Sequence, residues 1–367
     1  MGELFEAAVN DVFFVVPDTI DDPRQVSGGN RYDQRVRDGL RAEGWTVHLL
    51  LVTGRGTGWT ARALAQLPEG ALALIDGLLV FREPEAVAAH RSRLRIVVLA
   101  HMAAPSPGGE PGGGEPGADL DDAVIAALRS ARRIVATSAW TRSQLLEQDA
   151  ADPHRIVVAH PGVDPAPATR ASAAGGRLLC VATVAPHKGQ DLLLRALAGF
   201  ADRDGWSCTL AGSVAVAPDF VAALTAVIDA AGLAGRIRFA GVLDARALDA
   251  AYADADLVVL PSRSESYGMA LAEALAHGVP VLATAVGGIP EAIARPEAAM
   301  IVPPDDPWAL HVVLQQWWAS ADRRAALKAA ALEARAAGRR WDDTTSTVAA
   351  ALREAAVEGL RPEAVPS

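Results

Sequence analysis

Short runs of aliphatic and β-branched residues recur along the chain, separated by longer segments in which apolar positions return every three or four residues. Six such runs occupy the first half: DVFFVV from Asp11, TVHLLLV from Thr46, ALALIDGLLV from Ala71, RIVVLA from Arg95, RIVATS from Arg133 and RIVVAH from Arg155. Near-continuous apolarity implies burial on both faces of a strand, and the intervening segments supply covering helices. The pattern therefore predicts parallel sheets of the α/β class. Residues 161–177, PGVDPAPATRASAAGGR, are rich in Pro, Ala and Gly and predict an exposed linker. The pattern then restarts with RLLCVATV from Arg177, WSCTLAG from Trp206, RIRFAG from Arg236, ADLVVLPS from Ala255, VPVLAT from Val279 and AAMIVPP from Ala298. Two Rossmann-like, doubly wound domains are expected over 1–165 and 177–344. Ligands of such sheets lie beyond the carboxyl ends of the strands, so two facing sheets would form a central cleft.

Composition narrows the function classes. A chain of 367 residues can bury two cores, and 51% hydrophobic with 21% charged residues describes a folded protein. The net charge of −10 argues against nucleic acid as a partner. An acidic N-terminus without a basic flank does not read as a signal peptide, and no apolar run reaches the roughly 18 residues needed to span a bilayer. A cytoplasmic location is expected, without membrane association; the sequence leaves the oligomeric state open. The arginines from Arg31 to Arg41, with Arg91, Arg93 and Arg95, read as solvated faces because they alternate with acids or end helices. Cys180 and Cys208 sit inside apolar strands and are expected to be reduced core residues. The low-complexity stretch 105–117 is either a lid or a tolerated insertion.

Candidate chemistry sits just after the strands. A strand ending at Pro261 leads through a polar loop to a helix expected from near Tyr267 to His277, where Gly278 stops it. The amides of Ser266, Tyr267, Gly268 and Met269 can hold a diphosphate at that helix N-terminus. Glu265 stands at its mouth, and Glu273, two turns on, can accept both hydroxyls of a ribose. Lys188, with Gly189, follows the strand from Arg177 and can neutralise a departing diphosphate, an effect worth about 3–4 kcal/mol of barrier. The loop after the first strand narrows to Gly28, Gly29 and Asn30, where backbone amides can approach a phosphate or sugar closely. His101 ends the strand from Arg95, and Asp76, inside the third strand, is a further polar candidate.

The segment SRSESYGMALAEALAHGVPVLAT followed by GGIPE resembles the E-x7-E signature of glycosyltransferase family 4, retaining enzymes of the GT-B fold. The resemblance implies a metal-independent transfer of a sugar from a nucleotide-diphospho-sugar donor to a hydroxyl-bearing acceptor, with no cofactor. It assigns Glu265 to the donor sugar and Glu273 to the ribose, with Gly287, Gly288 and Glu291 shaping the adjoining loop. Lys188 would contact the diphosphate, Gly28 and Gly29 the donor phosphate and acceptor, and His101 the donor sugar. Asn30 and Asp76 fall on the acceptor side. The terminal helix, 345–367, is expected to pack back on the first domain. Many members carry an arginine five residues before the lysine; this chain has Thr183 there, and His187 is either its substitute or an ordinary turn residue. A nucleotide-sugar epimerase of the same fold and a non-catalytic nucleotide-sugar-binding protein are the alternatives.

Two further signals point elsewhere. Gly54, Gly56 and Gly58 suggest a dinucleotide fingerprint, but Trp59 holds the position its third glycine should take. Asp254 and Asp256 form an Asp-x-Asp that precedes its strand, which places it away from the carboxyl edge and predicts no metal there.

Overall fold

The computed structural model describes residues 10–23, 26–54, 57–102, 119–293 and 295–357. The stretch 105–117 and Gly56 lie outside them. The first unit holds β1 (Asp11–Pro17), β2 (Thr46–Val52), β3 (Leu72–Asp76), β4 (Arg95–Ala100), β5 (Arg133–Ala136) and β6 (Ile156–Val158). These form one sheet in the order β2-β1-β3-β4-β5-β6, every neighbouring pair parallel. The second unit holds β7 (Arg177–Val181), β8 (Ser207–Ala211), β9 (Ile237–Gly241), β10 (Leu257–Leu260), β11 (Val281–Thr284) and β12 (Ala299–Val302). Its order is β12-β11-β10-β7-β8-β9, again wholly parallel. Each expected strand is present, and both units are Rossmann-like.

Both faces of each sheet are covered, as parallel strands require. In β1, Val12, Phe14 and Val16 pack with the helices Gly28–Ala42 and Trp341–Val357, while Val15 joins the opposite face with Ile75 and Val98. In β10, Leu257 and Val259 face one layer and Val258 and Leu260 the other. The helix Trp341–Val357 belongs to the first unit. There Gly39 allows close approach, since a β-carbon on it would lie 2.1 Å from Thr345 Oγ1. The chain also passes from the first unit to the second between Gly162 and Val163.

One expected strand differs in extent. The third strand does not run on to Val80: it stops at Asp76, whose carboxylate accepts the Leu78 N–H at 2.7 Å and starts the helix Gly77–Arg82. Gly77 permits the turn, because a β-carbon there would stand 2.9 Å from the Leu99 carbonyl. The expected linker is exposed at most positions from 164 to 174, with one buried anchor. Thr169 is buried, its hydroxyl donating to the Ala253 and Ala255 carbonyls and its N–H to His277 O, so the segment is laced onto the second unit. Cys180 and Cys208 are free and buried, and burial pushes the Cys180 thiol up to about 12.

Candidate functional site

In the second unit, β7 and β10 lie side by side, but the chain leaves β7 toward β8 on one flank and leaves β10 toward β11 on the other. The two loops therefore diverge, and a crevice opens between them at the carboxyl edge, the position where doubly wound sheets bind ligands. Lys188 comes from the first loop and Glu265 from the second. Their Nζ and Oε2 atoms are 2.8 Å apart, with both side chains 16% exposed.

Close backbone packing fixes these loops. Gly189 has φ +65°, and a β-carbon on it would come within 2.0 Å of the Pro261 carbonyl. The Arg263 and Ser264 N–H groups donate to His187 O at 2.8 and 3.4 Å. The Arg263 guanidinium grips both Asp191 oxygens at 2.7 and 2.8 Å, and also reaches Pro186 O and Asp305 at 2.6 Å. That pairing outweighs the burial of Asp191 and holds its carboxyl below the ordinary range. On the far side, Gly287 and Gly288 press on the loop: β-carbons there would lie 1.8 Å from Glu265 O and 2.1 Å from Ser266 O. Gly288 N–H also donates to Glu265 O at 3.0 Å.

The helix after this loop runs Met269–Ala276, two residues later than expected, because Gly268 at φ +96° stands outside it as the cap. No side chain caps its first turn, so backbone N–H groups there keep the capacity to hold an anion. Tyr267 is buried, with its hydroxyl bonded to Arg339 at 3.2 Å; only its backbone can serve a ligand. Glu273 accepts a hydrogen bond from the buried Tyr252 hydroxyl at 3.0 Å. Gly278, at φ +70°, ends the segment.

The missing arginine is not replaced by either nearby candidate. The Thr183 carbonyl accepts from Gln190 Nε2 at 2.9 Å, and Arg263 is committed to Asp191 and Asp305. Burial and the neighbouring Lys188 charge push the His187 imidazole down to about 3, so it is neutral at physiological pH. It cannot supply the charge.

In the first unit the neighbours that diverge are β1 and β3. The helix after β1 begins at Gly28 and carries Asn30, whose amide donates to Thr19 O at 2.9 Å and ties down the loop before it. One turn on, Asp33 is 1% exposed and accepts from His101 Nε2 at 2.8 Å. Asp76, at the end of β3, completes a cluster whose ligand-capable atoms all lie within 4.8 Å of one another. Burial alone would lower the His101 imidazole, but the charge and hydrogen bond of Asp33, aided by Asp76, raise it to about 9. Burial and the charge of Asp33 lift the Asp76 carboxyl to about 7, against the pull of His101. The sequence reading missed Asp33. Its signal was present: Asp33 shares an apolar helix face with Val36 and Leu40, all three buried.

The end of the glycine-rich segment after β2, from Gly58 to Thr60, is filled by the protein itself. Gly58, Trp59 and Thr60 donate their N–H groups to the Glu83 carboxylate at 2.9, 3.1 and 3.1 Å. Those bonds outweigh burial and lower its pKa. Those three amides are therefore not open to a dinucleotide phosphate. Asp256 is equally committed, accepting from Ser172 Oγ at 2.7 Å and from the Arg177 N–H at 2.8 Å.

Two parallel six-stranded units, each with a crevice at its strand-order reversal, define a double Rossmann-like protein. Several solved structures share this fold over nearly their whole length. Among them are a glycosyltransferase from Rickettsia africae (TM-score 0.72, 18% identity, 95% of this chain and 99% of that one) and HepE of Anabaena in complex with UDP-glucose (TM-score 0.75, 17% identity, 94% and 99%). Residues 173–334 match the family model of glycosyl transferases group 1. Curated relatives include the D-inositol 3-phosphate glycosyltransferase of Mycobacterium sp. (strain KMS), 38% identical over 175 residues, which are 44% of this chain and 39% of that protein. The protein of the same name from Streptomyces scabiei is 33% identical over 208 residues, 51% of this chain and 46% of that one. The chain thus spans less than half the length of these relatives.

Proposed function

We propose that the protein is a retaining glycosyltransferase that moves a sugar from a nucleotide-diphospho-sugar to a hydroxyl-bearing acceptor without a divalent metal. The observation that carries this reading is the Lys188–Glu265 pair at the switch point of the second sheet, beside a helix N-terminus that no side chain caps. In this reading the diphosphate displaces Glu265 from Lys188, and the first-turn amides of the helix Met269–Ala276 complete its contacts. Glu265 then turns to the donor sugar's hydroxyls, and Glu273, oriented by Tyr252, takes the ribose. As the bond from anomeric carbon to phosphate oxygen breaks, Lys188 meets the growing negative charge. The acceptor oxygen bonds to that carbon on the same face, and its proton passes to the leaving phosphate.

HepE was solved with UDP-glucose, which makes that donor the first to test, and the relatives' names make an inositol phosphate the first acceptor. No helix among the described residues is long and apolar enough to cross a membrane. The test is a thermal-shift panel of UDP-, GDP- and ADP-sugars in EDTA, followed by product analysis of the anomeric configuration. Stabilisation by one donor and an α-product from an α-donor are expected; an inverted product, or a requirement for added Mg²⁺, overturns the corresponding part. One observation favours a second reading, a nucleotide-sugar-binding protein: Thr183 and a neutral His187 leave the diphosphate without a second cation from this loop. Donor binding without slow donor hydrolysis would select it.

A further inference from the structure

His101 has one ring nitrogen committed and one available. Its Nε2 contacts Asp33 Oδ1 at 2.8 Å, its side chain is 12% exposed, and Nδ1 makes no hydrogen bond among the described residues. The role of Nδ1 depends on the proton count of the ring. In a neutral imidazole whose Nε2–H donates to Asp33, Nδ1 can only accept; in the imidazolium it is a charged donor. The surroundings decide between these states. From the helix Gly28–Ala42 come Asp33, 1% exposed, and Tyr32, whose ring meets the imidazole edge-on at 5.3 Å and whose hydroxyl is spent on Ala159 O. From the end of β3 comes Asp76, and after β5 Thr137 donates to the His101 carbonyl at 3.4 Å. Trp341 packs on the other side of Tyr32, with the Arg35 guanidinium over its own ring at 5.9 Å. The titratable groups nearest the imidazole are thus two buried carboxyls, Asp33 and Asp76.

We propose that Asp33 is a positioning residue that fixes His101 as a cationic donor, its Nδ1–H directed at a ligand oxygen, either a sugar hydroxyl or an anionic one. The proposal rests on the glycosyltransferase reading for what the oxygen belongs to, but not for the state of the ring. Asp76 supports the arrangement, because burial and the neighbouring Asp33 raise its carboxyl to about 7. By holding its proton near neutrality it spares the cluster a second full negative charge, so that the Asp33 carboxylate and the imidazolium form a matched pair.

The experiment follows His101 by NMR in protein labelled at histidine Cε1, with His101→Gln assigning the resonance. In the wild-type protein the ring should titrate near pH 9, and in Asp33→Asn below 7. A wild-type ring titrating near 6.5, or a titration that Asp33→Asn leaves in place, overturns the proposal, and neither measurement needs a substrate. The second arm reads kcat/KM for UDP-glucose against pH. Wild type should lose activity on an alkaline limb near pH 9, and Asp33→Asn should move that limb down by about two pH units while recovering to within about threefold of wild type at pH 5.5. A uniform loss at every pH marks Asp33 as structural only and overturns the positioning role. If wild-type protein turns over no nucleotide sugar, the functional reading fails, and the NMR titration still decides the state of the ring.

Discussion

Lys188 and Glu265 are 77 residues apart in sequence and 2.8 Å apart in space, because β7 and β10 are neighbours whose crossovers leave in opposite directions. The ion pair itself contributes little to stability: a partly exposed pair is worth about 0–1 kcal/mol. The same two charges at a donor diphosphate would be worth far more in the transition state. Lys188→Ala and Glu265→Gln should each lower kcat by about 10²–10³-fold while shifting Tm by no more than about 3 °C. Steady-state kinetics beside thermal denaturation checks this, and a large Tm loss with retained turnover contradicts it.

Gly287 is where the loop after β11 presses on the backbone of Glu265. A β-carbon would lie 1.8 Å from Glu265 O, at a φ of +53° that side chains rarely adopt. Gly287→Ala must therefore push the Glu265 segment away, and a loss of donor binding of tenfold or more is expected, with destabilisation of about 1–3 kcal/mol. Gly232→Ala is the control. It has a similar φ of +67° with nothing within 4 Å, so it carries the backbone strain without the clash. Equal effects of the two on donor binding would show that the contact does not matter.

The twelve strands were legible because strands buried on both faces leave unbroken apolar runs, as in FFVV and DLVVL. The third strand was overextended for the same reason: in LIDGLLV the apolar run continues while the structure changes, and only the Asp76 cap and Gly77 mark the switch. Glu265, Glu273 and the amides from Ser266 to Met269 lie along one loop and helix, and it is the family resemblance that assigns roles to them and to Lys188. Arg263 was missed, because its partners Asp191 and Asp305 lie 72 and 42 residues away and a single sequence carries no trace of such pairings. Asp33 was hidden among the arginines of its helix, where one acid on the buried face looks like any other. Glu83 gave no sign that it would reach back 23 residues to fill the Thr60 amide.

Glu83 makes that second glycine segment a structural element. Three N–H groups at the start of the helix Trp59–Ala65 end on its carboxylate, which acts as a cap supplied from elsewhere in the chain. Glu83→Ala should cost about 1–2 kcal/mol of stability at pH 7, and Glu83→Gln less. Because the folded carboxyl titrates below its unfolded value, this contribution is present above the unfolded pKa and fades as pH falls through the folded one. Urea denaturation of wild type and Glu83→Ala at pH 7 and at pH 3 checks it: the gap between the two proteins should narrow at the lower pH.

The His101 cluster makes stability depend on pH in the opposite direction. His101 is raised to about 9 in the folded chain from an ordinary 6.5, so the folded state holds its proton more tightly than the unfolded state does. The stabilisation is complete below 6.5 and is lost as pH rises through 9. Asp76, raised to about 7 from 3.8, has the same sign: its protonated form is the one the fold favours, and stability falls as pH climbs from 4 through 7. Both groups therefore lower the stability of the first unit on the alkaline side, by about 2–4 °C of Tm per kcal/mol lost in a unit of this size. Asp33→Asn removes the charge that holds the imidazolium and relieves the repulsion on Asp76, so its Tm should be lower than wild type at pH 6 and should change less between pH 6.5 and 9. Differential scanning calorimetry across that range decides the matter, since a variant whose Tm runs parallel to wild type at every pH would place the alkaline sensitivity elsewhere.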